Sequence, residues 1–190
     1  MVSKLQMYRI VVIALMFTLI SCKKSLSTLR EEEEERVKSI QEFYKQKIKT
    51  NYIISNSYPN REEAIKAFLN EIIENKNTLS LCDEVESKEI LFPNCYNTNT
   101  MIANEFPDRA WDFIRERQKL GLKSIQAKLE NKKIKEIKVN WDKQIRDLNS
   151  LKGHVPREFI VKTDKQDVAI KEIKLIIEHN NQYKVCIVSL

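Results

Sequence analysis

The chain has 190 residues, 42% hydrophobic and 32% charged, which is enough apolar material for one packed core. Its two glycines, Gly121 and Gly153, exclude a dinucleotide fingerprint and a phosphate-cradling loop, since both motifs need several glycines close together. The two histidines have no metal-ligand spacing and no Cys-x-x-Cys is present, so no metal site is expected; the formal charge of +6 lacks the basic, aromatic-interleaved strip of a nucleic-acid binder.

Lys4 and Arg9 precede an uncharged run from Ile10 to Ile20, the charged start and short apolar stretch of an export signal. That run is too short to span a bilayer, which needs about 20 helical residues. It ends in Leu19-Ile20-Ser21-Cys22, which resembles the lipobox of bacterial lipoproteins at all four positions. The resemblance implies a signal peptide over residues 1–21 and a mature chain that starts at Cys22. It also implies a diacylglyceryl thioether and an N-acyl chain on that cysteine, with no other cofactor, and a membrane as partner through this lipid. Lys23 stands where an Asp would retain a lipoprotein at the inner membrane, so the outer membrane is the implied destination, on its surface or periplasmic face. Removing Lys4 and Arg9 from 33 basic residues, against 27 acidic, leaves a mature charge of +4. Residues 22–28 then form the lipidated cysteine and a short tether, and 29–190 a single domain.

Thr28 with Glu31 reads as a capping box for a helix from about Leu29 to Lys49, whose stripe of Val37, Ile40, Phe43, Tyr44 and Ile48 would pack inward. Asn60 with Glu63 opens a second helix to about Glu74, with Ile65, Phe68, Leu69, Ile72 and Ile73 on its apolar face. A short helix near Glu84–Leu91, stopped by Pro93, interrupts a polar stretch. Pro107 opens a long helix to about Asn131 with one face of Trp111, Ile114, Leu122, Ile125 and Leu129 and a second stripe of Phe113, Leu120 and Ala127, which predicts two neighbours. Ten basic and five acidic residues between Asp108 and Lys138 make the positive charge local, as a solvated, salt-bridged face.

From Ile134 the period changes to two. Ile137–Trp141, Phe159–Thr163, Val168–His179 and Tyr183–Leu190 predict four antiparallel strands, and the third needs one extra residue absorbed near Lys171 or Glu172 as a β-bulge. The expected fold is therefore α+β, with N-terminal helices packed on a curved C-terminal four-stranded antiparallel sheet. This order, with the terminal Glu-His-Asn-Asn-Gln-Tyr-Lys-Val, resembles cystatin-like and NTF2-like domains over Pro107–Leu190. Leu91-Phe92-Pro93-Asn94 followed by Lys152-Gly153-His154-Val155-Pro156 is similar to spirochaete lipoproteins, a family with no agreed activity to carry over.

Two further constellations follow. Cys82 and Cys95, in a polar region of an exported chain, are expected to close a disulfide loop worth roughly 3 kcal/mol, with Cys186 a reduced strand residue. NTF2-like enzymes place an acid and a His or Tyr inside the cone between sheet and helices, so the resemblance implies a pocket from Trp111, Trp141, His154 and Tyr183, with Asp142 and His179 as further candidates. His179 borders a turn and His154 follows Gly153, so both read as surface or turn residues, and no nucleophile motif accompanies them. The expected function is a lipid-anchored, non-enzymatic binding module for a protein or small-molecule ligand; the alternative is an NTF2-like pocket protein or enzyme.

Overall fold

A computed structural model describes Leu26–Leu190 apart from Asn99. The export signal, the lipobox with Cys22, and Lys23 and Lys24 lie outside the described residues. The chain divides into two compact units, Met1–Lys38 and Ser39–Leu190. The described part of the first is the exposed, glutamate-rich start of helix α1 (Leu26–Lys47), where Arg36 Nη2 meets Glu33 Oε1 at 2.7 Å. Because α1 begins at Leu26, Thr28 sits within its first turn and is not the N-cap expected of it.

In the second unit, Ile40 and Tyr44 of α1 are fully buried, as their spacing requires. Tyr44 donates its hydroxyl to the Glu105 carbonyl at 2.8 Å, and burial pushes its phenol well above the ordinary range. Helix α2 (Arg61–Ile73) starts where its cap predicts: Asn60 Oδ1 accepts from the Glu63 N–H at 2.8 Å while Asn60 Nδ2 donates to Glu63 Oε1 at 2.9 Å. A helical stretch runs through α3 (Glu84–Glu86), a π turn (Ser87–Leu91) and α4 (Phe92–Asn94). Pro93 lies inside its last turn and does not stop it earlier. A 3₁₀ turn (Met101–Asn104) leads to α5 (Pro107–Leu129).

Seven strands follow: β1 (Ile134–Trp141), β2 (Arg146–Leu148), β3 (Leu151–His154), β4 (Pro156–Thr163), β5 (Asp167–Ala169), β6 (Ile173–His179) and β7 (Gln182–Val188). They form two antiparallel sheets, ordered β1-β4-β5 and β2-β3-β6-β7, so the α+β class holds but the single four-stranded sheet is corrected to two. The break anticipated at Lys171–Glu172 is there, but it ends β5 and passes the chain into the other sheet instead of bulging one long strand. The hairpin β2-β3 escaped the periodicity because its strands are only three and four residues long.

Two apolar clusters hold the unit together. One gathers Ile40, Tyr44, Phe92, Trp111, Ile114, Leu151 and Ile177; the other gathers Ile65, Phe68, Leu69, Ile125, Phe159, Val161 and Ile176. Each such side chain contributes roughly 1.5–3 kcal/mol by burial. Helix α5 spans both, its first half in one cluster and Ile125 and Leu129 in the other. Gly121 lets it approach β7: a Cβ there would stand 2.9 Å from Val188 Cγ1 and 3.0 Å from the Ser189 nitrogen. Among the described residues the second stripe is only partly covered, however, since Phe113 and Leu120 are 43% and 52% exposed.

With glycine so scarce, asparagine supplies the left-handed backbone. Asn56, Asn75, Asn131, Asn149, Asn180 and Asn181 are the described non-glycine residues with positive φ, and neither glycine has one. Asn180-Asn181 turns the β6-β7 hairpin, as two adjacent left-handed residues do in a type I′ turn. Asn149 caps the β2-β3 turn and donates to the Asn94 carbonyl at 2.8 Å. Asn94, fully buried, accepts from the Ser150 N–H at 3.0 Å and donates to the Ile90 carbonyl at 2.7 Å, so the Leu-Phe-Pro-Asn segment fastens this turn to the helical stretch.

Candidate functional site

Three of the four residues expected in a pocket converge at one end of the β2-β3-β6-β7 sheet. Pairing places Lys152 of β3 opposite Glu178 of β6, and Glu178 opposite Tyr183 of β7. His154, two residues beyond Lys152, falls on the same face. Trp141 at the end of β1 and Arg61 at the start of α2 close over this row. The Trp141 and His154 rings stand edge to face at 6.4 Å, His154 and Tyr183 lie 5.6 Å apart, and the Arg61 guanidinium stacks 4.1 Å over the Trp141 ring. The indole Nε1 donates to Glu62 Oε1 at 3.0 Å.

The centre is a buried imidazole–carboxylate pair. His154 Nε2 lies 2.7 Å from Glu178 Oε2, and Arg61 Nη1 lies 3.3 Å from His154 Nδ1. A guanidinium only donates, so Nδ1 accepts and the proton sits on Nε2, donated to the carboxylate. Lys152 Nζ reaches the other oxygen, Glu178 Oε1, at 3.2 Å. Burial acts to raise the Glu178 carboxyl, but the hydrogen bonds from His154 and Lys152 together outweigh it and hold the group below the usual carboxylate range. Burial, followed by the charge of Glu178, pushes the Tyr183 phenol up.

This arrangement fixes charge more readily than it moves protons. Both ring nitrogens of His154 are engaged and each oxygen of Glu178 has a donor, whereas a general base needs a lone pair directed at substrate. What the site presents outward is a stacked Arg61–Trp141 surface beside Lys152, whose side chain is 61% exposed. Two adjoining grooves of about 430 and 560 Å³ lie elsewhere, between the ends of α2 and α5, lined by Ile72, Asn75, Lys123 and Gln126 among others.

The remaining candidates are dispersed. Trp111 is buried in the first apolar cluster and does not join the site. Asp142 pairs with Arg157 at 3.2 Å. Both histidines are buried, against the surface positions expected of them. His179 joins three segments: its Nε2 accepts from the Tyr52 N–H at 3.1 Å and its Nδ1 donates to the Ser150 carbonyl at 2.9 Å.

The cysteine pairing is also corrected. Cys82 is bonded to Cys186, with Cα atoms 4.6 Å apart, and Cys95 is a buried free thiol, the one among the described residues. The reason is local. Leu81 bridges Val185 in parallel and the Cys82 N–H donates to the Val185 carbonyl at 2.8 Å, which lays the two cysteines side by side. Burial pushes the Cys95 thiol up to about 12, so it stays protonated and unreactive.

Arg61, Glu178 and Lys152 were not singled out from the sequence. Glu178 carried a signal, as a carboxylate directly after the apolar run Leu175–Ile177, but its partners lie on other elements. Lys184 carried one too: it shares a strand face with Cys186, and it is 2% exposed, with Nζ 2.7 Å from both Glu86 Oε2 and the Ser55 carbonyl. Among the described residues no group of three or more His, Cys, Asp or Glu is placed to hold a metal ion. No family model, no curated protein and no solved structure matches this chain.

Proposed function

We propose that this chain is a lipid-anchored lipoprotein of the bacterial envelope, held by acylated Cys22, whose α+β unit is a non-enzymatic binding module. The observation that carries the anchor is the complete Leu19-Ile20-Ser21-Cys22 box at the end of a basic-then-apolar start. The Cys82–Cys186 bond supports the exported location, since disulfides persist in oxidising compartments. No helix among the described residues is long and apolar enough to cross a membrane, and the acyl group takes the anchoring role in this reading. The binding role rests on the saturated His154–Glu178 pair beneath an outward Arg61–Trp141–Lys152 surface, a polar and aromatic patch in which Arg61 is ion-paired to Glu62 at 3.3 Å and Lys152 to Glu178 at 3.2 Å. The test is Cys22→Ala in the native cell. The variant accumulates as unprocessed precursor without lipid on its mass; a variant still released as an acylated mature chain refutes the anchor.

A second reading, an NTF2-like pocket, draws on the convergence of Trp141, His154 and Tyr183. It requires those side chains to open around a ligand, whereas Trp111, expected to line the same cone, is packed into the core.

A further inference from the structure

Among the described residues, helix α5 carries a half-exposed apolar stripe. Phe113 and Leu120, seven residues apart and so on one helix line, are 43% and 52% exposed. Arg117 stands one turn beyond Phe113 at the rim of a small apolar slot, about 180 Å³, formed with Met101, Ile114, Ile187 and Val188. Arg117 and Lys123 have no ion-pair or hydrogen-bond partner among the described residues, and they belong to the segment Asp108–Lys138 that carries five more basic than acidic residues.

We infer that this face, with Phe113 and Leu120 inward and Arg117 and Lys123 at its edge, docks onto an anionic lipid surface. Apolar side chains bracketed by unpaired cations suit the boundary between acyl chains and phosphates, where each part finds its own solvent. A second copy of the chain is a poorer occupant, because a two-fold interface would set Arg117 and Lys123 close to the same residues of the partner. The inference rests on the anchored reading. With lipid on Cys22, the bilayer is present at high effective concentration, so even a weak surface contact is populated.

The test uses the chain from residue 22 onward with Cys22→Ser, which keeps every described residue but carries no acyl chain. It is sedimented at low salt with vesicles of phosphatidylcholine alone or mixed equally with phosphatidylglycerol. The expected result is binding to the anionic vesicles that weakens with salt. Arg117→Gln with Lys123→Gln should lower it roughly thirtyfold, and Phe113→Ser with Leu120→Ser should lower it with circular dichroism unchanged, because these side chains are exposed. Failure to bind anionic vesicles, or variants that bind like the parent, overturns the inference. A chain that elutes as a dimer and ignores vesicles overturns it in favour of self-association. The anchor is read separately, from the mass of the Cys22 peptide of the native protein, so vesicle binding with an unmodified Cys22 removes the anchor and leaves the docking face standing.

Discussion

Replacing Lys184 by Met isolates the most deeply buried charge in the described structure. Lys184 is 2% exposed, and its ammonium donates at 2.7 Å to both Glu86 Oε2 and the Ser55 carbonyl. Methionine keeps most of the apolar stem but leaves the Glu86 carboxylate, 8% exposed, with only the Ser55 N–H at 3.1 Å and the Asp83 N–H at 3.3 Å. It also leaves the Ser55 carbonyl without this donor. Removing one partner of a buried pair costs about 3–5 kcal/mol, because the surviving charge stays desolvated. At about 2–4 °C per kcal/mol for a chain of this size, the midpoint should fall by roughly 6–20 °C. The double variant Lys184→Met with Glu86→Gln removes the orphaned charge as well and should recover part of the loss. Urea denaturation followed by circular dichroism, run on the parent, both singles and the double, measures the coupling directly. A loss below about 1 kcal/mol for Lys184→Met, or a double that merely adds the two singles, would refute the account of the pair as a buried, mutually dependent unit.

The disulfide makes a sharper chemical prediction. Non-reducing peptide mapping should link Cys82 to Cys186, and Cys95 should resist thiol reagents at mild alkaline pH until the chain unfolds, since its thiol is pushed up to about 12; a Cys82–Cys95 peptide would reverse the assignment. Because the bond closes a separation of 104 residues, Cys82→Ser with Cys186→Ser should destabilise by about 4.7 kcal/mol on the loop-entropy scale, measured by urea denaturation. Glu178 and Glu172 both have carboxyls held below the usual range. For Glu172, burial opposes this but Lys128, Ser124 and the Lys171 N–H together outweigh it. A lowered folded value means the stabilisation is fully present above the unfolded carboxyl value of about 4.3 and is lost as pH falls through the folded values. Stability should therefore drop between roughly pH 4 and the onset of acid unfolding, and Glu178→Gln should flatten part of that slope; an unchanged pH profile would refute the pairing of Glu178 with His154 and Lys152.

Much of the local structure was written in the sequence because it depends on neighbours along the chain. Asn60 with Glu63 announces α2, Pro107 opens α5, and the change of period at Ile134 marks where helices give way to strands. The paired asparagines at 180 and 181 locate a hairpin in a chain almost without glycine, since asparagine is the next residue to tolerate a left-handed backbone. The core face of α5 was legible for the same reason, with Trp111, Ile114, Ile125 and Leu129 all buried.

What depended on distant segments was not. Periodicity detects strands but not which sheet each joins, so residues 168–179 read as one bulged strand although they serve two sheets. Cys82 faced two partners of equal chemistry; the choice fell to the Leu81–Val185 bridge, a contact between residues far apart in the chain. The amphipathic pattern that buries one face of α5 could not say that Phe113 and Leu120 would stay half-exposed among the described residues, because a second apolar stripe looks the same whether or not anything packs on it. His154 read as a turn residue because the carboxylate and guanidinium that enclose it come from Glu178 and Arg61, on a different strand and a different helix. Sequence by itself determined the helices of the second unit and the cap of α2, through short-range sterics and hydrogen bonding. Only the tertiary structure decided which polar groups would be buried together, since the free energy of a buried charge is set by the partners that the fold brings to it.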